Sequence, residues 1–163
     1  MAKLEMLLKC SDDAHWEFTL AFEGLSDADL WRRAHPQLLS VGELAGHVAY
    51  WEAVSIASYL PEDSPNRIVS LLVDKRFDYY TNEVNSPVAL DLGVDEVLNE
   101  LKRIHLSFRS ATEAIDPDFD DAIPNRPGFT WGAYLRYQAF HIAYHTGQAF
   151  SVRHLMGHVT NDN

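Results

Sequence analysis

The stretch GFTWGAYLRYQAFHIAYHTGQAFSVRHLMG, Gly128 to Gly157, decides the fold. Thr130 is placed as an N-cap, the run behind it continues unbroken to about Met156, and Gly157 supplies the stop. One long amphipathic helix is the reading. Such a helix turns about 100° per residue, so His141 and His145, four apart, lie within about 40° of each other on one face. Two imidazoles so stacked can grip a metal ion. Equally, one can complete a hydrogen-bond network while the other meets water.

Working outward, helical periodicity recurs three more times. Leu4, Leu7, Leu8, Ser11, His15, Phe18, Phe22 and Leu25 form one stripe, predicting a helix from about Leu4 to Leu25. The stretch SVGELAGHVAYWEAVSIASYL starts with Ser40 and Glu43 at capping-box spacing, and Pro61 stops it near Leu60. A further helix spans Asp95 to Ile115, with Val97, Leu101, Ile104, Phe108 and Ala111 on its face and Asp95 as the expected N-cap. No segment alternates as a strand does. Each apolar stripe has to be buried against the others, so the expected class is all-α, a four-helix bundle. The connection Pro61 to Gly93 is too long for adjacent antiparallel helices and predicts a crossover or lid, with a short helix within NRIVSLLVDKRFDYY.

No linker or repeat marks a boundary, and 163 residues suit one domain, 1–163. With 24 acidic and 13 basic residues and a formal net charge of −11, the chain repels phosphate backbones, which disfavours nucleic acid. Cys10 is the single cysteine, so no internal disulfide forms and a reducing compartment is expected. The opening MAKLEMLLKCSDD lacks a signal-peptide core, and no apolar run approaches the roughly 20 residues that cross a bilayer. A cytoplasmic protein without a membrane partner is the expectation.

The eight histidines carry the candidate chemistry. His35 and His158 are expected at the surface, and His15 and His105 as satisfied core residues. The pair His141 and His145 gains weight from His47, placed mid-helix beside Ala45 and Gly46. Three neutral imidazoles from two helices suit zinc, nickel, copper or ferrous iron, and leave positions open for water or substrate. Ile142 stands where a zincin needs Glu. DPDFDDAIPNRP fails as a calcium loop, with Asp121 and Pro127 where Gly and Glu are required. Glu43 either orients His47 or serves only its capping box. Glu52, about 140° round the helix from His47, points elsewhere. Gln148 is placed to bond near the ion, and Gly147 suggests close packing. Tyr50, Tyr134 and Tyr144 are candidate pocket walls.

SVGELAGHVAYWE, the long second connection and the closing helix with its HxxxHxGQ element together resemble the DinB-like, or YfiT-like, family over nearly the whole chain. The resemblance implies an up-down-down-up bundle holding a divalent metal, zinc or nickel first and iron next, on the matching residues His47, His141 and His145. Relatives include S-transferases using bacillithiol-type thiols and a mycothiol-dependent isomerase, in which the metal holds the thiol as thiolate. The implied function is a metal-dependent transferase or hydrolase-like enzyme acting on a small molecule, with a low-molecular-weight thiol as co-reactant. A non-catalytic ligand-binding bundle, such as a sensor, or a structural dimer is the alternative. Many relatives carry His where this chain has Tyr144. A homodimer is expected through outer aromatics such as Trp16 and Trp31.

Overall fold

In a computed structural model the chain is described for residues 2–57, 59–65, 67–79, 86–123 and 128–160. It is all-helical: α1 (Ala2–Leu20), α2 (Asp27–Leu30), α3 (Val41–Ala57), α4 (Val94–Ile115) and α5 (Trp131–Leu155). Among the described residues no strand forms; only an isolated bridge joins Ala122 to Thr130. The four long helices are the bundle, and α2 is one turn inside the first connection.

Side-chain pairings set the directions. Asp12 reaches His105 while Glu5 reaches Arg109, so α1 and α4 run antiparallel. His47 meets His141 and His145 while Ser55 meets Gln138, so α3 and α5 are also antiparallel. Arg153 of α5 donates to the carbonyls of Leu20 and Glu23 at the far end of α1, which makes those two helices parallel. The order is therefore up-down-down-up.

Local chemistry explains the ends. Ser40 and Glu43 close a reciprocal capping box on α3, with bonds of 3.1 and 2.8 Å. Thr130 caps α5 by accepting from the Ala133 N–H. Three boundaries differ from expectation, one being the end of α3, which is Ala57 rather than near Leu60. The first helix ends at Leu20 rather than Leu25, because the chain turns through Gly24 at φ +73°, yet Phe22 and Leu25 still enter the core. The N-cap of α4 is Gly93, not Asp95: Glu96 accepts from the Gly93 N–H and Asp27 accepts from that of Val94. A Cβ on residue 93 would meet the Asp27 carboxylate at 2.8 Å.

The connection from α3 to α4 lies against the bundle. Leu72 and Phe77 are fully buried in it. The short helix expected there is only a 3₁₀ turn, Lys75–Phe77, and Asn66 and Tyr80 at the ends of that stretch lie outside the described residues, as does Pro127. The Phe77 ring packs on Gly46, where a built Cβ would lie 2.5 Å from it. The Trp31 ring packs likewise on Gly42, at 2.6 Å, and its indole N–H donates to the Leu92 carbonyl. Trp31 is thus withdrawn from the outer surface on which dimerisation was expected, while Trp16 remains exposed. Gly147, expected in a tight contact, has nothing within 4 Å of a built Cβ. Within the helices the closest approaches fall at residues 42 and 46 instead.

Opposite effects are expected from one substitution at two glycines. Gly46→Ala should lose about 1–2 kcal/mol in urea unfolding, because overpacking against Phe77 outweighs the helix-propensity gain. Gly147→Ala should gain about 0.5–1 kcal/mol. An unchanged or raised midpoint for Gly46→Ala would contradict the packing.

Candidate metal centre

His47 leaves α3 beside Gly46, and the missing side chain there is what lets the α3–α4 connection come close. The Phe77 carbonyl consequently reaches His47 Nδ1 at 2.8 Å. A carbonyl only accepts, so Nδ1 carries the proton and Nε2 keeps its lone pair. On α5 the Gln148 side-chain oxygen does the same for His145 Nδ1 at 2.7 Å. His141 stands one turn before His145.

The three Nε2 atoms converge. His141 Nε2 lies 3.3 Å from that of His47 and 3.1 Å from that of His145. Nitrogens on a four-coordinate ion at 2.0–2.1 Å are about 3.3 Å apart, so the set has the span of such an ion. All three side chains are buried, each no more than 8% exposed. Burial, followed by the neighbouring imidazoles, lowers the pKa of His141 to about 3 and that of His145 to about 4. Burial also lowers His47, against the Phe77 carbonyl and the charge of Asp78. Neutral imidazoles facing one point could hold a metal ion.

Glu43 does not touch His47. Its fully buried carboxylate takes two bonds from Arg33, at 2.6 and 2.8 Å, and further ones from the Ser40 and Val88 N–H groups and the Tyr79 hydroxyl. Burial alone would raise its pKa; the Arg33 and backbone bonds win and lower it. The capping reading of Glu43 holds, and its larger role joins two connections. Tyr144 is half exposed, 5.1 Å ring to ring from His145, and its hydroxyl accepts from Gln148. It borders a groove of about 510 Å³ that Leu38, Leu39, Leu44, Gly147, Gln148 and Val152 also line. Tyr134 is instead buried against Trp131 in the core, and Tyr50 packs edge-on to Trp51.

His35 is exposed as expected, but His158 is half-buried and bonds Asp29 at 3.0 Å. His15 and His105 stack at 4.2 Å, away from His47, and Glu52 bonds His105 at 2.7 Å. That Glu52 turns from the His47 face was legible; that it bonds His105 and lies within 4.8 Å of His15 was not. The Phe77 carbonyl also escaped notice, since a backbone acceptor leaves no mark in residue type.

Acid should unfold the metal-free chain through these groups. His15, His141 and His145 titrate in the folded state near 4, 3 and 4 against 6.5 ordinarily, so the folded chain binds fewer protons in that window. Their contribution is whole above about 6.5 and is lost as pH falls toward 4; His105, shifted upward, acts in the opposite direction. The urea midpoint should fall over that window, and less steeply in His141→Gln. A flat profile would contradict neutral imidazoles.

Comparison with known proteins agrees with the fold. No functionally curated protein matches the chain. The solved structure described as the conserved protein of locus from Enterococcus faecalis is similar with a TM-score of 0.59 and 17% identity, covering 94% of this chain and 96% of that one, which shows the shared fold. The profile of the DinB superfamily matches residues 12–149, and the chain belongs to that superfamily.

Proposed function

We propose that the chain is a metal-dependent enzyme in which His47, His141 and His145 hold a divalent ion, and that it activates a low-molecular-weight thiol or water for attack on a small electrophile. The observation that carries this reading is the pair of proton assignments: Phe77 and Gln148 hold protons on the outer nitrogens and aim the inner lone pairs together. Without a cation, only a proton on His141 Nε2 keeps those lone pairs from repelling. Zinc and nickel suit three imidazoles best, with ferrous iron next. A bound ion supplies Lewis acidity that favours the deprotonated form of a thiol or water.

The remaining parts belong to this chain's residues. Cys10 is exposed on α1 and does not line the groove beside Gln148, so the nucleophile comes from outside the chain. The groove excludes water with Leu38, Leu39, Leu44 and Val152, and offers hydrogen bonds through Gln37, Ser151 and Gln148. Among the described residues no charged side chain lines it, which favours a neutral, partly apolar substrate. Gln148 links the two regions, holding His145 from one side and facing the groove on the other.

Metal analysis of untagged protein should find one ion lost in His47→Ala; wild-type metal content in that variant would sink the site. Gln148→Ala should weaken metal affinity about 10–100-fold, as removal of an outer partner of a ligating His usually does. Conjugation assays pairing several small thiols with neutral electrophiles should give turnover that disappears with chelator. Gly147→Phe, filling the groove, should raise KM while leaving bound metal unchanged. Full metal loading without turnover for any thiol or ester would favour a binding protein over an enzyme.

A further inference from the structure

On the side of α3 away from His47 lies a second buried cluster, built from three helices. His15 comes from α1, Glu52 from α3 and His105 from α4, and one ligating atom from each lies within 4.8 Å of the others. All three are buried, the most exposed by 6%. His105 is held at both nitrogens: Nε2 lies 3.0 Å from Asp12 Oδ1 and Nδ1 lies 2.7 Å from Glu52 Oε1. Two buried atoms are left over. Neither Glu52 Oε2 nor His15 Nε2 has a hydrogen-bond partner among the described residues.

We propose that His15, Glu52 and His105 form a second site for a divalent transition ion such as zinc or cobalt, separate from the three-histidine centre. A proton between His105 and Glu52 would satisfy that one contact and leave both orphaned atoms buried and unpaired, which folded proteins avoid. An ion engages all three groups at once. Asp12 already occupies the place of the carboxylate that orients a ligating histidine: it takes the Nε2 proton of His105 and turns Nδ1 toward Glu52. Arg109 holds Asp12 in turn, at 2.6 Å. Mixed imidazole and carboxylate donors suit borderline divalent ions. An entry route exists, because Asp12, His15 and His105 line a cleft of about 620 Å³ between α1 and α4.

The geometry adds one requirement. The His15 and His105 rings lie 4.2 Å apart at 17°, and in-plane lone pairs on stacked rings do not meet at one ion. Loading therefore turns the His15 ring about its Cβ–Cγ bond, off His105.

Counting bound zinc on the untagged full-length chain, after removal of loose ion, tests this. Two ions on the wild type, with one remaining in Glu52→Gln and one in His47→Ala, support the second site. A single wild-type ion that survives Glu52→Gln overturns it and leaves the three-histidine centre standing. A single ion lost in Glu52→Gln but kept in His47→Ala supports it and overturns the other centre. A second ion that persists in Glu52→Gln belongs to surface groups and overturns it, and a chain without zinc overturns both. Asp12→Asn should weaken the second ion about 10–100-fold. Should Glu52→Gln fail to fold, zinc titration of the wild type with ¹⁵N-labelled histidines decides. His15 and His105 ring signals that move with the second equivalent, His15 losing its stacking shift, support the site; signals that stay still overturn it.

Discussion

The Glu43 carboxylate is the constraint on which the three-histidine arrangement rests. Fully buried, it would be intolerable without partners, and it collects them from separated parts of the chain: Arg33 before α3, Ser40 at the helix start, and Tyr79 and Val88 in the connection to α4. Satisfying one charge therefore fixes where that long connection runs. Once it runs there, Phe77 settles on Gly46 and its carbonyl meets His47. The imidazole is oriented by a chain of contacts that starts at a residue it never touches.

Much of this was readable from residue order. The four long helices, the capping box at Ser40, the N-cap at Thr130, and the convergence of residues 47, 141 and 145 follow from periodicity, cap chemistry and family resemblance. These are local signals, or signals in residue type. What escaped reading depends on distant partners. Gly147 and Gly46 are equally costly in a helix, and only the fold shows that Gly46 accommodates a ring while Gly147 faces a groove. The α4 cap moved from Asp95 to Gly93 because Asp27, far back in the chain, supplies a hydrogen bond there. Glu52 could be turned away from His47 by arithmetic, but the histidines it would meet lay on other helices.

Helix α3 consequently contributes to both clusters. It presents His47 to α5 on one side and Glu52 to α1 and α4 on the other, about 140° round its axis. Its composition reflects that double burial: Gly42, Ala45, Gly46, Ala49 and Ala53 keep it thin, so neighbours pack on every side. A wider helix would separate the groups on which both clusters depend.

The parallel course of α1 and α5 has an electrostatic consequence. Neighbouring parallel helices bring like ends of their macrodipoles together, and here the two carbonyl-rich, partially negative termini share one end of the bundle. Arg153 answers that repulsion. Its guanidinium is almost wholly buried and donates to the carbonyls of Leu20, Glu23 and His158, so one fixed cation neutralises both helix ends and stitches the chain's first helix to its last. The topology that gathers the histidines thus creates a charge problem at its far end and carries its own counter-ion.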